Sequence, residues 1–166
     1  MKNTILWKTA AKLVSYNTVS NLSTLACSEY VANCLDRKKF KTKIITHQID
    51  GVKKSQVVAW IGPKVKGGLI LSGHMDIVPF ANQPGWTGDA LKLRAVGNKI
   101  IGRGTSDMKI FIAHCLDAFG NLPLARLKRP IVCVFTCDEE TCCMGSHRLI
   151  PDLLALKLVV NLRLFN

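Results

Sequence analysis

Two short apolar runs constrain this chain more than any other feature: Gly68-Leu-Ile-Leu-Ser-Gly73 and Pro130-Ile-Val-Cys-Val-Phe-Thr136. The second does not alternate polar with apolar residues, so it suits a central strand covered on both faces. The first reads as a more buried strand than those before it. Each run ends in polar, titratable residues, His74-Met75-Asp76 after the first and Asp138-Glu139-Glu140 after the second. Buried strands need helices to cover them, and the rest of the chain supplies helical patterns.

Apolar residues at Ile5, Leu6, Ala10, Leu13 and Val14 predict a helix from about Thr4 to Tyr16. Leu25, Ala26, Tyr30, Val31 and Leu35 predict a second from Ser23 to about Arg37. Strands are expected at Lys43–Thr46 and Gln56–Ile61. Ala81 to Asp89 reads as loop, and Gly97-Asn98 between Leu91–Val96 and Lys99–Ile101 as a hairpin. A helix from about Met108 to Phe119, another around Ser146 to Leu154, and a strand from Leu156 to Val160 complete the pattern. Alternating strands and helices imply an α/β fold with a mostly parallel sheet between helical layers.

A length of 166 residues is enough for one domain with a hydrophobic core. Apolar residues make up 48% and charged residues 20%, which excludes a disordered chain. No apolar run approaches the roughly 20 residues of a membrane span. The N-terminus lacks the apolar centre and cleavage site of a signal peptide, so a cytoplasmic protein is expected. Seven scattered cysteines without a CxxC pair suggest neither disulfides nor a thiolate zinc site. Vicinal Cys142 and Cys143 read as turn residues rather than metal ligands. The net charge of +12 raises the question of nucleic acid. However, the lysines fall in short clusters (Lys38, Lys39, Lys41, Lys43; Lys53, Lys54; Lys64, Lys66) without interleaved aromatics, so a solvated face is expected and no nucleic-acid partner.

Asp107, in Gly102-Arg-Gly-Thr-Ser-Asp107-Met-Lys, stands ahead of a predicted helix and is well placed to cap it. In open α/β sheets, ligands gather beyond the carboxyl ends of the strands, so the His74, Asp107 and Glu139 segments can converge. Gathering that much negative charge costs several kcal/mol unless cations compensate it. Imidazole and carboxylate donors suit zinc, cobalt or manganese. The spacing His74-x-Asp76 is that of a ligand and the carboxylate that orients it. One carboxylate must stay free of metal to accept a proton from water.

The segments GHMDIVP, Gly85-Trp86, GRGTSDMK and TCDEET, in this order, resemble the acetylornithine deacetylase, succinyl-diaminopimelate desuccinylase and glutamate carboxypeptidase-like metallohydrolase family. The resemblance runs from about Leu13 to Val160, with SGHMDIVPF, the Gln83-Pro-Gly-Trp loop and the DEET run nearest the deacetylase branch. It implies a three-layer α/β/α catalytic domain with an inserted domain used for dimerisation. It implies two divalent metal ions, zinc or cobalt, with His74, Asp107 and Glu140 as ligands and Asp107 bridging them. Asp76 would orient His74, and Glu139 would act as general base. The substrate would be a small N-acyl amino acid, with no membrane partner. A desuccinylase or dipeptidase of the same family is the alternative; from another class, a basic binding module reusing the fold.

The sequence departs from the family pattern at three places. Ile110 stands where a glycine is usual, so helix packing near the metals is expected to change. His114 and His147 match no family ligand and are expected to be structural or surface residues. After Val160 the family continues Gly-Glu-Pro-Thr, whose glutamate is a ligand, whereas this chain ends Asn161-Leu-Arg-Leu-Phe-Asn166. With a suitable choice of codons, deleting one base from the glycine codon of a segment encoding Val-Gly-Glu-Pro-Thr-Ser-Phe-Gln gives this tail. Residues 1–160 are therefore expected to be the N-terminal part of the catalytic domain. Residues 161–166 are expected to be a frameshifted tail, leaving a truncated chain inactive on its own.

Overall fold

The structure, a computed structural model, describes residues 4–157. Helix α1 (Ile5–Ser15) starts where the Thr4 side chain accepts a hydrogen bond from the Trp7 N–H at 3.2 Å. It buries Ala10, Leu13 and Val14, the stripe expected from the sequence. Helix α2 (Leu25–Asp36) buries Cys27, Val31, Ala32 and Leu35. Strands β1 (Lys41–Ile49) and β2 (Val52–Ile61) form a hairpin longer than predicted. Its turn is Asp50-Gly51, with φ of 48° and 79°, the left-handed pair that two-residue hairpins require. Strand β3 (Leu69–His74) follows, then the small hairpin β4 (Arg94–Val96) and β5 (Lys99–Ile101) around Gly97-Asn98. Helix α3 (Lys109–Ala118), strand β6 (Ile131–Thr136) and helix α4 (Met144–Ala155) complete the order.

The main sheet runs β1-β2-β6-β3. It is mixed: β3 and β6 are parallel, while β1–β2 and β2–β6 are antiparallel. The tight Asp50-Gly51 turn dictates the first antiparallel pair, because parallel neighbours need a long crossover. The expectation of a mostly parallel sheet is corrected here: among the described strands of the main sheet only β3–β6, the pair that carries the polar strand ends, is parallel.

Helices cover both faces. Val57, Ala59, Cys133 and Phe135 pack on one side with Leu13, Val31, Leu35, Ile112 and Leu116 from α1, α2 and α3. Val58, Val132 and Val134 pack on the other with Ile45 and with Leu149 of α4. Three layers result, with β6 buried on both faces as its run of branched residues requires. Strand β3 is less buried than expected: Leu69 is 53% and Ile70 37% exposed, because β3 borders the sheet among the described residues. Ile110 is accommodated at the edge of the α1–α3 core. Leu156 and Lys157 close α4 in a turn, and the rest of the expected strand, with the tail 161–166, lies outside the described residues.

Candidate metal centre

Parallel register places His74 opposite Thr136, so the residues after β3 and β6 leave the sheet side by side. Three hydrogen bonds hold the first of these segments in place. The Met75 N–H donates to the Thr136 carbonyl at 2.9 Å, and the Ile77 N–H to the Thr18 carbonyl at 3.1 Å. The Thr18 hydroxyl donates to the Met75 carbonyl at 2.6 Å.

His74 is only 3% exposed. Its Nδ1 lies 3.1 Å from the Asp76 carbonyl oxygen and 3.4 Å from Asp76 Oδ1. Its Nε2 lies 3.0 Å from Asp107 Oδ1 and 3.8 Å from Glu139 Oε2. One ring nitrogen is thus oriented by Asp76 while the other faces two carboxylates. Asp76 is fully buried; its Oδ2 accepts from the Ser20 hydroxyl at 3.3 Å and from the Glu140 N–H at 3.1 Å. This last bond ties the strand end after β3 to the Glu139–Glu140 turn.

The titration behaviour follows from these contacts. Burial opposes a charged His74, but Asp76 and Asp107 outweigh it and hold its pKa up at about 9. Burial also opposes an ionised Asp76, yet His74 and the N–H groups of Glu140 and Glu139 keep its pKa below the ordinary carboxylate value. Glu140 is pushed up by burial and by the neighbouring carboxylates of Asp107, Asp76 and Glu139, with only His74 opposing. The pocket therefore favours added positive charge.

Ligand atoms of His74, Glu139 and Glu140 lie within 4.8 Å of one another. Asp107 joins them through His74 Nε2, its side chain 70% exposed. Asp107 does not take the capping role that its position alone would allow: Met108 occupies the cap position of α3 and no side chain bonds there, so the Asp107 carboxylate is available to the site. One imidazole nitrogen with several carboxylate oxygens is a donor set suited to borderline divalent ions. The residues fit such an ion. Beside them, Val78, Trp86, Arg103, Thr105, Asp107 and Glu140 help line a cleft of about 280 Å³. Arg103 lies over the Trp86 ring at 4.8 Å and donates to Gln83.

Two supporting cations escaped the sequence reading. Lys54, expected on a solvated face, is 1% exposed and pairs with Asp138 at 2.9 Å while also bonding the Ser20 carbonyl. The correction follows from its place in β2, whose next five residues are all buried. Lys109 is fully buried and donates to the Tyr16 carbonyl at 2.8 Å; burial lowers its pKa to about 8. His114 and His147 are exposed and stand apart from the cluster. Cys142 and Cys143 occupy the turn before α4, as expected.

A histidine–carboxylate cluster at the ends of two parallel strands, inside an α/β/α sandwich, is an arrangement that could hold a divalent metal ion. Residues 70–162 match peptidase family M20/M25/M40, and the chain belongs to that family, whose members are metal-dependent hydrolases of amide bonds. It is 39% identical over 123 residues to an acetylornithine deacetylase of Pasteurella multocida, covering 74% of this chain and 31% of that protein. It is 44% identical over 81 residues to an acetylornithine deacetylase of Salmonella paratyphi B, covering 49% of this chain and 21% of that protein. The chain thus spans less than a third of the length of these relatives. Human carnosine dipeptidase 1 shares the fold with a TM-score of 0.72 at 20% identity, covering 89% of this chain and 35% of that one. The carboxypeptidase Sso-CP2 of Sulfolobus solfataricus does so with a TM-score of 0.69 at 18% identity, covering 91% and 35%. Among the described residues, no helix is long and apolar enough to cross a membrane.

Proposed function

We propose that this chain carries metal-binding residues of an amidohydrolase that cleaves N-acetylornithine to ornithine and acetate, a step of arginine biosynthesis. The observation that carries the reading is His74, with Nδ1 held by the Asp76 main-chain carbonyl and Nε2 turned toward Asp107 and Glu139. His74, Asp107 and Glu140 would hold two divalent ions, zinc or cobalt, with Asp107 shared. Bound there, such ions supply Lewis acidity and lower the pKa of nearby water.

The chain's own residues do the rest. Asp76 fixes the imidazole so that Nε2 points into the site. Glu139, 46% exposed, is free to take a proton from the attacking water and pass it to the leaving amine. Arg103, the cation at the cleft, suits a substrate that carries a carboxylate. The identity with acetylornithine deacetylases supports the acetyl substrate over the dipeptides of the structural neighbours.

The test is a chimaera in which residues 4–157 replace the matching segment of the Pasteurella multocida relative. Metal-dependent release of acetate from N-acetylornithine, suppressed by a chelator, is the expected result. Cleavage of N-succinyl-diaminopimelate or dipeptides instead would move the substrate assignment. No metal-dependent hydrolysis despite bound metal would overturn the reading.

A further inference from the structure

We propose that Cys142 and Cys143 form a dithiol site that captures trivalent arsenicals. Both thiols are free, on consecutive residues of the turn between β6 and α4, with Cys142 exposed and Cys143 half-buried. Both residues have left-handed backbones, with φ of 57° and 55°. The turn around them is fixed by hydrogen bonds. The Cys143 N–H donates to the Glu139 carbonyl at 3.1 Å, and the Cys143 carbonyl accepts from the His147 N–H at 3.2 Å and the Ser146 hydroxyl at 2.8 Å.

Adjacency decides which partner suits the pair. Neighbouring Cα atoms stand about 3.8 Å apart across a trans peptide. A disulfide prefers roughly 4.4–6.8 Å, so a direct S–S bond here is disfavoured. One arsenic atom set between the sulfurs lengthens the bridge and removes that constraint. The chemistry balances without an oxidant: an organoarsenic oxide meets two thiols, two S–H bonds break, and two As–S bonds form. The oxide oxygen leaves with both protons as one water, and no electrons change hands.

The rest of the chain offers no equal competitor. Cys27, Cys115, Cys133 and Cys137 are buried, and Cys34 is half-buried. Burial pushes the Cys27 thiol up to about 11 and those of Cys133 and Cys137 up to about 12. Cys115 neighbours Cys133, but both lie in the core. The proposal is independent of the hydrolase reading, since neither thiol belongs to the histidine–carboxylate cluster.

The experiment titrates the folded, reduced 166-residue chain with phenylarsine oxide and counts adducts by intact mass. One phenylarsenic group per chain is expected, absent from both Cys142→Ser and Cys143→Ser and retained by Cys34→Ser and Cys115→Ser. A small dithiol should release it, whereas a monothiol at equal thiol concentration should not, because only the dithiol matches two-point capture. An adduct that survives either of the Cys142 and Cys143 substitutions, or that disappears with Cys115→Ser, overturns the proposal.

Discussion

Glu139 and Glu140 are chain neighbours with different surroundings. Glu140 gives its N–H to Asp76, and its carboxyl is pushed up by burial and by nearby acids. Glu139 is more open, with Oε2 at 3.8 Å from His74 Nε2. Glu139→Gln should leave divalent-ion uptake unchanged but lower hydrolysis in the chimaera by about 10²–10⁴, the usual cost of losing a general base. Glu140→Gln should weaken ion binding by more than the roughly 10–100-fold typical of residues that merely orient a ligand. Ion titration of both variants checks this, and the reverse pattern exchanges the two roles. Lys54 gives a second expectation, because it is the buried partner of Asp138. Lys54→Met leaves a buried carboxylate unpaired and should cost about 3–5 kcal/mol. Adding Asp138→Leu should recover part of that loss. Urea denaturation of the single and double variants measures it, and an equal loss in both would remove the pair from the account.

At the scale of elements, the contact between β6 and α4 positions the Glu139–Glu140 turn. Gly145 lies so close to the end of β6 that a Cβ there would stand 2.0 Å from the Cys137 carbonyl oxygen. Gly145→Ala should therefore destabilise the fold by at least the roughly 1–3 kcal/mol of an overpacked core, seen as a lower midpoint in urea. An unchanged midpoint would mean that the helix shifts freely. Most elements were legible because their patterns are local. Leu13 and Val14 announce a helix, Gly97-Asn98 a turn, and the branched run at Ile131–Thr136 a covered strand. Less legible was whatever depends on partners distant in the chain. The antiparallel setting of β2 against β6 has no local signature. Lys54 looked solvated because sequence alone does not reveal Asp138 beside it. Asp107 taken singly fits a helix cap as well as a ligand, because its carboxylate meets His74 across 33 positions of chain and no local pattern shows that contact. His74, Asp76 and Glu139 were legible as candidates because each follows a strand whose burial is itself readable.

For the whole molecule, a divalent ion bound at this cluster would stabilise the folded state. Four acidic side chains and one histidine meet beyond the ends of β3 and β6, and a bound cation would relieve the repulsion that pushes Glu140 up. A ligand that binds only the folded chain stabilises it by about 2.7 kcal/mol at a hundredfold excess over its Kd. For a chain of this size each kcal/mol raises the melting temperature by roughly 2–4 °C, so a rise of about 5–10 °C is expected. The decisive measurement is thermal unfolding of the wild-type chain and of His74→Ala, each with zinc or cobalt and each with a chelator. The account expects a saturable rise in the wild type that the chelator abolishes and that His74→Ala lacks. Identical melting with metal and with chelator, or the same rise in His74→Ala, would contradict it.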